Sequence, residues 1–183
     1  MGKITFMGAG STVFAKNVLG DSLLTPALQD FEIALYDIDP VRLDESYTMI
    51  DCLNRNINQG RARVTKHLGV ENRKEALRGA NFVVDAIQVG LYEPCTVTDF
   101  EIPKKYGLRQ TIADTTGIGG IFRALRTIPV LADFARDMKR SAPTRGSSTT
   151  PTPWLCWPAI CSAIPVSRPS VCATVCSPAP VLC

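Results

Sequence analysis

The chain has 183 residues, with 20 Lys and Arg against 17 Asp and Glu and a single His, which is room for one domain or for one and a fragment. A net charge of +3 is too small to argue for nucleic acid or an anionic membrane surface. No apolar run reaches the roughly 18 residues of a membrane-spanning helix, and Met1-Gly2-Lys3-Ile4-Thr5-Phe6 enters a strand-like run without a signal-peptide pattern, so a cytoplasmic enzyme is expected.

Residues 1–140 alternate strand-like and helix-like segments. Lys3–Met7 is an apolar strand ending in Gly8-Ala9-Gly10-Ser11, and Val13 to about Leu24 follows as a helix. Phe31–Tyr36 is a second strand. From Val41 to about Asn58, Leu43, Tyr47, Ile50, Leu53 and Ile57 recur at three- and four-residue steps, which predicts an amphipathic helix. Arg63–His67 reads as a third strand, Asn72–Arg78 as a short helix and Phe82–Ile87 as a buried fourth strand. A helix from about Asp99 to Tyr106, a strand around Gln110–Ala113 and a long helix over Gly119–Met138 complete the series. Pro129 is expected to bend that last helix or to mark its restart.

This alternation predicts an α/β fold, a Rossmann-like doubly wound parallel sheet of the lactate/malate dehydrogenase kind, with helices on both faces. Ligands on such sheets bind at the carboxyl ends of the strands, near the switch in strand order. The first turn fits that place. Strand, Gly8-x-Gly10, then helix is the context of a dinucleotide fingerprint. Gly8 permits the tight turn, Gly10 lets backbone approach a pyrophosphate, and the helix points free amides at the phosphates. Ser11 either adds a hydroxyl contact or caps the helix. Val13 stands where the usual third glycine would be. The second strand ends at Asp37, 27 residues after Gly10, where a carboxylate accepts from an adenosine ribose and favours NAD over NADP. Asp39 could share that role. The competing reading is that these acids cap the following helix, since Asp39-Pro40 puts Pro in a first-turn position. Gly90, in the loop after the fourth strand, is either a close-approach glycine beside the nicotinamide or a plain turn glycine. Cys95 reads as a small buried side chain. His67 has no metal-spaced partner.

GAGSTVF at 8–14, LYDID at 35–39, the run QVGLYEPCTVTDFEIPKKYGLRQTIADTTGIGG at 88–120 and GGIFRALRTIPVL at 119–131 resemble the N-terminal domain of the family 4 glycoside hydrolases. That family comprises NAD- and manganese-dependent α-galactosidases, α-glucosidases and relatives. YEPCTVTDFE with QTIADT is closest to the α-galactosidase branch. Leu91 departs from the family, which usually has a second glycine there, and Thr116 and Ile118 replace the commoner Leu and Pro. The resemblance implies hydrolysis of a small α-glycoside by oxidation at C3, elimination, addition of water and return of the hydride, a known exception to two-carboxylate hydrolysis, with a divalent metal polarising the sugar oxygens. It implies that Gly8, Gly10, Ser11 and Asp37 hold NAD and that Gly90 lines the nicotinamide region. Asp114 and Arg123 would face sugar hydroxyls, with capping and surface pairing as the plain alternatives. It also implies homo-oligomers for full-length members.

Residues 141–183 differ. They hold no acid, no Lys, two Arg, 8 of the 13 prolines, 5 of the 7 cysteines and both tryptophans. Prolines at 158, 165, 169, 178 and 180 oppose helix and most strand, so 1–140 is expected as an NAD-binding domain and 141–183 as an irregular tail forming no packed layer. The cysteines lack paired metal spacing and any His. The family continues past this point with motifs of the form FLNYTNPMAM and LCHS, which carry a substrate-binding Asn and the metal-binding Cys. Neither occurs here. Codons exist for Ser147–Cys156 and for Cys172–Cys176 that spell both motifs when read one base earlier. The tail is therefore expected to be out of frame from near Lys139–Ala142, leaving a truncated chain without turnover, with catalytic residues unassigned and no metal ligands. A 2-hydroxy acid dehydrogenase of lactate/malate type shares the fold, and a non-catalytic NAD-binding fragment is the third reading. The run 88–131 favours the glycosidase.

Overall fold

The computed structural model describes residues 2–111, 117–141, 147–151 and 169–174, the last two stretches as backbone. The chain forms two compact units, 1–87 with 137–152 and 167–183, and 88–136 with 153–166.

In the first unit Lys3–Met7 (β1) is buried at every position, which asks for a near-continuous apolar run rather than alternation. Its two polar residues are satisfied: Thr5 donates its hydroxyl to the Ala76 carbonyl at 2.8 Å and Lys3 its ammonium to the Glu75 carbonyl at 3.3 Å. Thr12–Leu24 (α1) buries Ala15, Leu19 and Leu23, four-residue steps that make one stripe. Glu32–Asp37 (β2) pairs parallel with β1. Pro40–Ile57 (α2) buries Leu43, Ser46, Ile50 and Asn54. Arg63–Leu68 (β3) pairs parallel with β2 and has no buried residue. A 3-10 turn at Val70–Asn72 leads into Arg73–Leu77 (α3). Phe82–Asp85 (β4) then pairs parallel with β1 on its other side. Phe6, Leu19, Ile33, Leu35, Ile50 and Val84 belong to the main core. The Rossmann-like parallel sheet with flanking helices expected from the sequence is the one observed in this unit.

Two tail segments join the sheet. Ser147–Pro151 (β5) and Pro169–Thr174 (β6) complete the order β3-β2-β1-β4-β6-β5, with β6 parallel to β4. This corrects the expectation that nothing in 141–183 enters a layer. The prolines of these two strands lie at their ends, Pro169 first in β6 and Pro151 last in β5, where a missing N–H is tolerated. The rest of the tail lies outside the described residues.

The second unit holds an irregular helical turn over Leu91–Thr96, then Val97–Lys104 (α4) and most of Ile118–Ser141 (α5). Gln110 and Thr111 form no strand. The Gln110 side-chain oxygen instead accepts from the Gly119 amide at 2.8 Å in the first turn of α5. Pro129 lies inside α5 and the helix continues through it, because its ring is on the exposed side and water can meet the carbonyl left without a donor. Among the described residues no helix is long and apolar enough to cross a membrane.

Candidate functional site

β1 has β2 on one side and β4 on the other, so strand order reverses between β1 and β4. That reversal is where an open parallel sheet leaves a crevice at its carboxyl edge, and β1 runs into Gly8-Ala9-Gly10-Ser11 there. Gly8 has φ +83. A Cβ on it would stand 2.8 Å from the Ala86 carbonyl carbon and 2.9 Å from the Ile87 nitrogen. These are backbone atoms of the β4 end, which cannot rotate away. The turn is held from two sides. The amides of Gly8 and Ala9 both donate to the Tyr36 carbonyl at 2.9 Å, and the buried Ser46 hydroxyl on α2 donates to the Ala9 carbonyl at 2.5 Å.

The two acids divide their labour. Asp37 accepts from the Gly10 amide through Oδ2 at 2.6 Å and from the Ile38 and Asp39 amides through Oδ1 at 2.8 and 2.9 Å. It ties the end of β2 to the glycine turn. Asp39 is the cap: its Oδ1 accepts from Val41 and Arg42 at 2.9 and 3.2 Å, with Pro40 opening the helix. Replacing Asp39 by alanine is therefore expected to cost about 1 kcal/mol, read as a lower urea midpoint at unchanged slope. Ser11 occupies the position before α1 without a side-chain capping bond, so of its two readings the cap is not observed. Val13, at the place of the third glycine, is 65% exposed, and a side chain there meets no packed strand. A turn with two Cβ-free positions, the amide end of α1 and a strand-end acid fit the pyrophosphate and ribose of a dinucleotide.

Gly90 belongs to the second unit and has φ +87. A Cβ there would stand 2.7 Å from the Cys95 Cβ and 3.4 Å from the Arg126 Nε. Cys95 is half-buried and takes the space that the glycine leaves. Leu91, where the family usually has glycine, sits at φ +55, a left-handed conformation that glycine holds without strain. Arg126 donates two bonds to Asp99, at 2.8 and 2.5 Å, while its buried Nε has no hydrogen-bond partner. The Asp99–Arg126 pair went unread in the sequence because its members lie on different helices. Arg123, on α5, is half-buried, and its carbonyl accepts from the Thr127 hydroxyl at 2.8 Å. Asp114 lies outside the described residues. Gly8, Gly10, Ser11 and Asp37 thus meet in one turn of the first unit, and Gly90 and Arg123 are placed in the second.

Asp85, also unread, ends β4 opposite Met7. It is 1% exposed, with Oδ1 accepting from the Ile87 amide at 3.2 Å and Oδ2 without a hydrogen-bond partner. Burial pushes its pKa up to about 7 against the weaker opposing pull of the Ile87 amide. The available signal was a lone acid inside the apolar run FVVDAI. His67 is half-buried beside Thr65 at 3.2 Å, and burial, then Lys3, lowers its pKa. Among the described residues no group of three or more His, Cys, Asp or Glu could hold a metal ion.

The family model for family 4 glycosyl hydrolases matches residues 3–147. Alpha-galactosidase of Bacillus subtilis (strain 168) is 63% identical over 143 residues, covering 78% of this chain and 32% of that protein. Alpha-glucosidase of Erwinia rhapontici is 37% identical over 142 residues, covering 77% and 30%. The chain thus spans about a third of the length of the curated relatives it matches. The 6-phospho-beta glucosidase of Thermotoga maritima, solved with manganese, NAD+ and glucose-6-phosphate, superposes with a TM-score of 0.64 at 25% identity over 78% of this chain and 32% of that one. A 6-phospho-alpha-glucosidase from gut microorganisms, in complex with NAD and Mn2+, shares the fold at a TM-score of 0.64 and 20% identity, over 79% and 31%. A glycine turn with a strand-end acid is common to many dinucleotide folds, but a family match over residues 3–147 is far more specific, and by it the chain belongs to the family 4 glycosyl hydrolases.

Proposed function

We propose that residues 1–140 are the NAD-binding part of an α-galactoside hydrolase. The observation that carries this is the 63% identity to the Bacillus subtilis alpha-galactosidase, against 37% to the Erwinia rhapontici alpha-glucosidase. Bound NAD supplies a reversible hydride acceptor, which makes oxidation and later reduction at one sugar carbon possible without net consumption. The chain's own residues bind and orient. Gly8 keeps the turn closed against β4, Gly10 keeps the backbone bare for the pyrophosphate, and the amides opening α1 face its charge. The Ser11 hydroxyl adds a contact to the phosphate. Asp37 accepts from the ribose with the one lone pair on Oδ2 that its backbone donors leave. By family resemblance Gly90 serves the nicotinamide side, and Asp114 and Arg123 serve sugar hydroxyls. The expected setting is cytoplasmic, with homo-oligomers among full-length relatives.

The 183-residue chain alone is proposed to bind NAD without turnover. One fact favours this: it spans about a third of its relatives' length. Residues 141–183 are read as out of frame. A chimera tests the assignment, with residues 1–140 replacing the corresponding part of the Bacillus subtilis protein. It is expected to hydrolyse nitrophenyl-α-galactoside with NAD+ and Mn2+, whereas the 183-residue chain does not. A folded but inactive chimera, or turnover by the short chain, would each overturn one half of the proposal.

A further inference from the structure

We propose that Ser46, on α2, is a positioning residue for the cofactor: its hydroxyl holds the Ala9–Gly10 peptide with the carbonyl turned into the protein and away from the pyrophosphate. This role rests on the dinucleotide reading above and deepens it. Ser46 stands in the buried stripe of α2 between Leu43 and Ile50 and is 0% exposed. A helical serine or threonine commonly returns its hydroxyl to its own helix. Ser22 and Thr48 do so, donating to the Val18 and Asp44 carbonyls four residues back. Ser46 instead donates across 37 residues of chain to the Ala9 carbonyl. Ala9 is 0% exposed as well, so water does not replace this bond when the hydroxyl is removed.

The Ala9–Gly10 peptide is held at both ends. Its carbonyl takes the Ser46 hydroxyl, and its amide, that of Gly10, donates to the Asp37 Oδ2 at 2.6 Å. Together these bonds oppose the rotation that would exchange carbonyl and amide. A tether is needed because of the glycine. Gly10 has no Cβ to penalise either sign of φ, so the residue that leaves room for a pyrophosphate also leaves this peptide free to turn over. A turned peptide would set a carbonyl dipole against the phosphates, where an anion site asks for amides. α2 is close enough to act as the backstop: Arg42, one helical turn before Ser46, has its Cβ 3.0 Å from the place of a Gly10 Cβ. The ribose end is held separately, because the Asp37 Oδ1 keeps the Ile38 and Asp39 amides whatever this peptide does. Loss of the Ser46 hydroxyl is therefore felt at the pyrophosphate and not at the adenosine.

The test is an NMR titration of the 183-residue chain with NAD+, ADP-ribose and adenosine, for wild type, Ser46→Ala and Ser46→Cys. Ile50→Val, one turn on in the same buried stripe, is the packing control. Ser46→Ala is expected to weaken NAD+ and ADP-ribose by about tenfold and adenosine by less than about twofold. It is also expected to speed hydrogen exchange of the Gly10 amide relative to that of Leu19, on the buried face of α1. Ser46→Cys keeps nearly the same size with a weaker donor; it is expected to lose about threefold for NAD+ and carries the test if the alanine variant does not fold. Ile50→Val is expected to lower the melting temperature and to leave NAD+ affinity within about twofold. NAD+ affinity unchanged in a folded serine variant, equal losses for ADP-ribose and adenosine, or an equal loss in Ile50→Val each overturns the role of Ser46 and leaves the NAD reading standing. Absence of NAD+ binding by folded wild type overturns both.

Discussion

Replacing Asp85 by asparagine raises the melting temperature at pH 8 by on the order of 10 °C and leaves it nearly unchanged at pH 4. Asp85 is 1% exposed at the end of β4, and its Oδ2 has no hydrogen-bond partner. Burial lifts its pKa from 3.8 to about 7. The folded protein therefore holds this proton more tightly than the unfolded chain. The sign follows: stability is full below the unfolded value, falls as pH rises from about 4 to about 7, and stays low above that. A gap of this size corresponds to at most about 4 kcal/mol. Asparagine keeps the volume and an acceptor for the Ile87 amide but cannot ionise. Its unpartnered amide group costs about what the unpartnered acid O–H costs at low pH, so wild type and variant converge there. A stabilisation of equal size at both pH values would mean that packing, and not charge, is the cause.

Asp85 also marks where legibility from sequence stops. The strand itself was legible, because four consecutive positions of FVVD must fill a sheet buried on both faces. Whether an acid in that run has a partner depends on the neighbouring elements, which the run does not specify. The same divide recurs elsewhere. α2 was legible from its three- and four-residue apolar steps and from Asp39-Pro40, whose capping is a local matter. Gly8, Gly10 and Asp37 were legible as a group because a tight turn after a strand, a helix start and a strand-end acid impose local requirements. Which of the two acids would cap and which would clamp the turn was not legible, because the choice is made by the Gly10 amide 27 residues away. Asp99 and Arg126 are likewise 27 residues apart and meet only once α4 and α5 are placed. The strands β5 and β6 were missed because parallel pairing of β6 with β4, and of β5 with β6, is a long-range event and their prolines look prohibitive until they are seen at strand ends.

The glycine turn permits the sharpest separation of fold from function. Gly8→Ala is expected to destabilise the chain by about 3 kcal/mol or more: 1–2 from forcing a side chain into a left-handed backbone, the rest from collision with the Ala86 and Ile87 backbone. Nothing on that list can rotate away, so the turn and the end of β4 must separate. Gly10→Ala presents a different problem. Gly10 is not at positive φ, and the atoms nearest to a new Cβ are the Asp37 Oδ2 at 2.9 Å and the Arg42 Cβ at 3.0 Å. The Asp37 carboxylate and the first turn of α2 that carries the Arg42 Cβ must give by tenths of an ångström, at about 1–2 kcal/mol, much of it from the weakened bond between Asp37 and the Gly10 amide. The bare backbone that would meet the pyrophosphate is nonetheless lost. Gly10→Ala is therefore expected to remain folded by circular dichroism and to bind NAD+ at least about tenfold more weakly, while Gly8→Ala loses both together. Unchanged NAD+ affinity in a folded Gly10→Ala protein would show that the pyrophosphate does not pass over this turn, and would move the cofactor site away from the amide end of α1.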